Sequence, residues 1–206
     1  VYFRNQPVGC TSTIIYQIYQ EKMADIPKEI AGLMCSAIIS DTLLFRSPTC
    51  TPFDVEAAKR LATIAGIECE SYAREMFAAG SDLQARTPEE IFYQDFKQFE
   101  FGDWNIGIGQ ITSMSSEELG HIKQRLMPYM EQVFAKHDAD MVFFMLTDIL
   151  SESSELLCYG KGAAELIQEA FGQKVVQNSA LLPGVVSRKK QLVPSFMAAI
   201  NRMTMV

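Results

Sequence analysis

The chain has 206 residues, 48% apolar and 21% charged, which is ordinary for a soluble globular protein and allows one large or two small domains. Its net charge of −7 argues against a large nucleic-acid surface, and no run approaches the roughly 18 apolar residues of a membrane span. Five cysteines, an odd count with no CxxC spacing, read as reduced and largely buried thiols of a cytoplasmic protein.

Taken in order, residues 9–22 (GCTSTIIYQIYQEK) read as a helix opened by a small, hydroxyl-rich turn. Gly9, Thr11, Ser12 and Thr13 there either cap the helix or offer N–H groups to an anion, capping being the simpler reading. Residues 27–39 form an apolar helix with Pro27 near its start, followed by Ser40-Asp41-Thr42. Thr51 caps the next helix, with Pro52 in its first turn and Gly66 at its end. A short helix near 70–79 stops at Gly80, and the polar stretch 81–87 suits a linker. Thr87-Pro88-Glu89-Glu90 then opens a helix with a capping box.

A hairpin follows, Gln98 to Phe101 and Trp104 to Ile111, with its turn at Gly102-Asp103. Residues 116–136 are a long amphipathic helix, 141–149 an apolar strand, 156–159 a short strand and 162–171 a helix. Strands near 174–177 and 181–187 and a final helix from about Pro194 complete the pattern. The architecture expected is α/β in both halves, split near residue 83.

Few residues here carry chemistry on pattern alone. Asp41 closes an apolar helix and either caps the next element or faces a site. Arg188, Lys189 and Lys190 gather positive charge after an apolar strand, where α/β folds place ligands; a solvated basic turn is the alternative. Lys97 by itself is a surface lysine. His121 and His137, 16 positions apart on one helix, lack metal-ligand spacing. Gly107-Ile108-Gly109 and Gly160-Lys161-Gly162 lack the rest of any nucleotide fingerprint and read as packing or turn glycines. Trp104, Met141 and Met145 read as core.

Three longer segments carry more: PVGCTSTII (7–15), EIAGLMCSAIISDTLLFRSPTCT (29–51) and PGVVSRKKQLVP (183–194). In this order they strongly resemble the family II inorganic pyrophosphatases of the DHH phosphoesterase superfamily. The resemblance implies the C-terminal part of a parallel-sheet DHH domain over 1–80, a linker over 81–87, and a smaller α/β DHH-associated domain with a mixed sheet over 88–206. It implies hydrolysis of pyrophosphate to two phosphates, with Mn2+ as cofactor and Co2+ or Mg2+ as substitutes. Asp41 corresponds to a metal-bridging carboxylate. Arg188, Lys189 and, less securely aligned, Lys97 correspond to ligands of the substrate's phosphates. Two bound metal ions would acidify a shared water and aim it at phosphorus, while the cations offset oxygen charge. The parent enzyme is expected to be a cytoplasmic homodimer that binds neither nucleic acid nor membrane.

The family's other metal ligands, including the Asp-His-His motif, would lie upstream of Val1, so the chain reads as a fragment, inactive alone. Two alternatives stand beside this reading. One is another phosphoesterase of the superfamily; the other is a truncated, non-catalytic chain that binds an anion or a partner.

Overall fold

The protein is described by a computed structural model covering residues 3–80, 83, 85–136 and 139–204. His137 and residues 81, 82 and 84 of the expected linker lie outside the described residues. The chain divides into two compact units, Val1–Gly80 and Ser81–Val206.

The described part of the first unit is helical throughout: α1 (Thr11–Glu21), α2 (Lys28–Asp41), α3 (Pro52–Ala65) and α4 (Cys69–Gly80). The strand–helix alternation expected of this half is therefore corrected, since no strand lies among its described residues. Alanines explain the tight packing of α2 on α3. The two helices are in contact, and Ala31, Cys35 and Ile38 of α2 and Ala57, Ala58 and Leu61 of α3 are all fully or almost fully buried. α3 has both bonds of a capping box between Thr51 and Asp54, and ends at Gly66 in the left-handed region. The three residues after Thr42 are unusual. Leu43, Leu44 and Phe45 all have positive φ, at 50°, 50° and 68°. None is glycine, so each costs roughly 1–2 kcal/mol of backbone strain. The buried Thr42 hydroxyl braces them, donating to Ile38 O at 2.6 Å and accepting from Phe45 N at 3.2 Å.

The second unit is a mixed five-stranded sheet between two helical layers. It begins with α5 (Pro88–Gln94), whose capping box pairs Thr87 with Glu90. β1 (Phe96–Phe101) and β2 (Trp104–Ser113) form the expected hairpin. α6 (Ser116–Lys136) crosses over to β3 (Met141–Asp148), which lies parallel to β2. β4 (Ser153–Gly160), α7 (Ala163–Phe171) and β5 (Ser179–Pro183) follow, both β4 and β5 being antiparallel additions. The strands stand in chain order β1-β2-β3-β4-β5. Residues 174–177 make no strand, only a bridge from Val176 to Ser179.

Alternation along the strands sorts the core. Ile106, Ile108, Phe143, Met145 and Leu156 face α7 and α8 (Val193–Thr204), while Val142, Phe144, Leu146 and Leu157 face α5 and α6. Each such side chain contributes roughly 1.5–3 kcal/mol on burial. Met141 and Met145 are core, but Trp104 is 37% exposed at the mouth of the hairpin. Gly107 and Gly109 are packing glycines: a Cβ on either would come within 2.4 Å of the ring of Phe96 or Phe144. All five cysteines are free thiols.

Candidate functional site

In the second unit, the candidate cations meet at a short turn of π-helix, Arg188–Leu192, that runs straight into α8. Its i→i−5 bond joins Leu192 N to Ser187 O at 3.2 Å, and the Ser187 hydroxyl caps it by accepting from Lys190 N at 3.3 Å. Lys189 and Lys190 are exposed, whereas Arg188 is only 6% exposed.

Burial of a guanidinium requires partners, and Arg188 has three. Nη1 donates to Asp95 O at 2.5 Å and to Ile108 O at 3.0 Å, and Nη2 donates to Asp95 Oδ1 at 2.8 Å. These bonds consume both N–H groups of Nη1 and one of Nη2. A guanidinium has a planar fork that lysine lacks, and most of this one is spent on Asp95 and Ile108.

The same bonds bring Lys97 to this turn. Ile108 is the cross-strand partner of Lys97, and Asp95 lies two residues before it. Arg188 therefore grips the backbone on both sides of the exposed Lys97. Lys189 is the exposed residue that follows Arg188 in the turn. Asp95 carries no motif, and its part in this grip was not legible in the sequence.

In the first unit, Asp41 is the last residue of α2, exposed, with no basic residue in the last turn of the helix. The helix dipole places partial negative charge at that end, so a carboxylate there is a poor fit for the helix and a good one for a cation. Burial, and next the neighbouring Asp41 carboxylate, push the Cys10 thiol up to about 11. The strained segment Leu43–Phe45 begins two residues after Asp41. Strain of this kind persists where the surrounding structure holds it, and it clusters at functional sites. Among the described residues no group of three or more His, Cys, Asp or Glu side chains could hold a metal ion.

The N-terminal turn of α1 is occupied from within. The carboxylate of Asp54, fully buried, accepts from Gly9 N at 2.8 Å, Cys10 N at 3.3 Å, Thr13 Oγ1 at 2.5 Å, Thr51 N at 2.8 Å and Thr51 Oγ1 at 2.6 Å. Burial raises its pKa, but the hydrogen bonds from Thr13, Thr51 and Gly9 together outweigh that and hold it below the usual carboxylate range. The anion at this helix start is therefore Asp54 itself, and the capping reading of residues 9–13 stands. A Cβ at Gly9 would lie 2.8 Å from Thr42 and 3.0 Å from Asp54, so the turn accepts only glycine. His121 is exposed on α6, away from both groups of residues in sequence.

Known proteins resemble this chain along most of its length. The DHHA2 domain model matches residues 74–199. The chain is similar to the manganese-dependent inorganic pyrophosphatase of Bacillus subtilis, 46% identical over 94% of this chain and 62% of the relative. It is also similar to the cobalt-dependent inorganic pyrophosphatase of Clostridium perfringens, 45% identical over 94% of this chain and 35% of the relative. A Methanococcus jannaschii crystal structure assigned to the family II inorganic pyrophosphatases matches with a TM-score of 0.79 and 40% identity, covering 95% of this chain and 66% of that one. The chain thus spans less than two thirds of the length of these relatives.

Proposed function

We propose, because this chain belongs to the DHHA2 domain family, that it is part of a metal-dependent enzyme hydrolysing pyrophosphate to two phosphates. The observation that supports this reading is the anchoring of the Arg188–Lys189 turn on the backbone of Asp95 and Ile108, next to Lys97. Pyrophosphate is a compact polyanion, and fixed cations around it offset the charge that builds on the leaving phosphate. Arg188 supplies a preset fork, and Lys97 and Lys189 supply point charges. The names of the relatives support manganese as cofactor, with cobalt or magnesium as substitutes.

Asp41 fits one oxygen donor of that metal site, by its exposure and its place at the negative end of α2. When bound, a pair of divalent ions would supply a hydroxide nucleophile by lowering the pKa of a shared water. In this reading residues 1–80 belong to a DHH domain, 81–87 to a linker and 88–206 to the substrate-binding domain. The parent enzyme is a cytoplasmic homodimer. The net charge of −7 supports the absence of a nucleic-acid partner, and no helix among the described residues is long and apolar enough to cross a membrane.

A second reading, a chain that binds an anion without turning it over, draws on there being no group of three or more His, Cys, Asp or Glu side chains among the described residues that could hold a metal ion. Manganese-dependent phosphate release from pyrophosphate separates the two. It is measured on the 206-residue chain and on a polypeptide extended to the relatives' length. Turnover in the longer polypeptide, abolished by Arg188→Ala with Lys189→Ala, is the expected result. Folded but inactive protein in both cases overturns the enzyme reading in favour of the anion binder.

A further inference from the structure

The face of the sheet that packs on α7 and α8 is apolar along β2, β3 and β4, except at one end. There Gln110, Thr147 and Ser154 continue the rows Ile106–Ile108, Phe143–Met145 and Leu156–Cys158. Thr147 and Ser154 are fully buried and Gln110 is half-buried. All three are bonded. Gln110 Nε2 donates to Thr147 Oγ1 at 3.0 Å, Thr147 and Ser154 share a bond of 2.8 Å, and Ser154 donates to Val185 O at 2.7 Å. The second N–H of Gln110 Nε2 reaches Val186 O at 3.0 Å, while its Oε1 accepts from Arg188 N at 3.3 Å.

The network thus runs across three strands and ends on the backbone of Val185, Val186 and Arg188. Gln191 closes the loop from the other side. Its Oε1 accepts from Val186 N and Ser187 N, and its Nε2 donates to Gly184 O at 2.6 Å. Apolar residues at these sheet positions would pack as well. A fully satisfied polar row instead specifies one arrangement of whatever it holds.

We infer that Gln110 is a positioning residue for the phosphate-binding turn: it fixes the backbone on both sides of Ser187 and so aims Arg188 and Lys189. The inference rests on the proposed reading of that turn as a pyrophosphate clamp. Gln110 touches no substrate in this assignment; it acts through Arg188.

Calorimetric titration of the 206-residue chain with pyrophosphate tests it, comparing wild type with Gln110→Ala and with Gln110→Met, which keeps volume and removes the bonds. Cys158→Ala, buried in the same core away from the turn, serves as the stability control. Both Gln110 variants should bind on the order of tenfold more weakly, since small misplacement of binding groups is costly. Hydrogen exchange at the Arg188 amide should speed up with them. Cys158→Ala should lower stability and leave affinity unchanged. Wild-type binding with unaltered affinity in folded Gln110→Met overturns the assignment alone. Absence of pyrophosphate binding by the wild-type chain overturns the clamp reading, and this assignment with it.

Discussion

The guanidinium of Arg188 meets the carboxylate of Asp95 at 2.8 Å across 93 residues of sequence, and it binds the main chain of Asp95 and Ile108 at the same time. One side chain therefore both closes the fold of the second unit and holds the surface on which Lys97 stands.

These two roles separate by substitution. Arg188→Ala leaves two carbonyls without their donor and should destabilise the second unit by about 2–3 kcal/mol. Lys189→Ala removes an exposed charge and should stay within about 0.5 kcal/mol of wild type. Both should weaken pyrophosphate binding about tenfold or more. Urea melts and calorimetric titration on the same samples read both effects. An Arg188→Ala protein as stable as wild type would contradict the bracing role.

Asp54 makes the first unit sensitive to acid. Its folded pKa is lowered from an ordinary 3.8, so its stabilisation is complete above that value and is lost as pH falls below it. Asp54→Ala strands the donors of Gly9, Cys10, Thr13 and Thr51 and should cost about 3 kcal/mol or more at neutral pH. Acid titration of helicity should show the low-pH loss in wild type and a flatter profile below 3.8 in the variant. Identical profiles would remove Asp54 as the cause.

Two glycine-to-alanine changes should have opposite signs. At Gly109 the new methyl would lie 2.4 Å from the ring of the fully buried Phe144, so overpacking should cost about 1–3 kcal/mol. At Gly120, inside α6, a Cβ meets nothing within 4 Å. There the better helix propensity of alanine should add about 0.5–1 kcal/mol. Thermal melts decide, and stabilisation at Gly109 would mean that the β2–β3 packing is looser than described.

Asp41→Asn should act in two directions. Without metal it removes a carboxylate from the negative end of α2 and should stabilise by about 0.3–1 kcal/mol. In the extended polypeptide it should weaken manganese binding about tenfold or more, because one anionic donor is lost. Electron paramagnetic resonance of free manganese measures the second effect, and unchanged affinity would take Asp41 out of the metal site.

Local signals survive in the sequence wherever the physics is local. The Thr51 cap, the capping box at Thr87–Glu90, the Gly66 helix end, the Gly102 turn and the amphipathic helix over 116–136 were all legible. Each depends on residues within a turn or two of one another. The resemblance singled out Asp41, Lys97, Arg188 and Lys189 by motif and alignment. It carried no information on what those residues touch. The polar row was visible in principle, as Thr147 standing where β3 has placed Met141, Phe143 and Met145.

By itself, then, the sequence determined an α/β protein with a basic turn after an apolar strand, and a family likeness that attaches phosphate chemistry to that turn. Only the tertiary structure decided that Arg188 is buried and shared between Asp95 and Ile108, that Asp54 fills the start of α1, and that Gln110 holds the basic turn. The reason is sequence separation. These partners lie 93, 80, 45 and 78 residues apart, and a hydrogen bond between distant residues leaves no periodicity or spacing in the chain. It exists only once the sheet and helices have brought donor and acceptor within 3.5 Å.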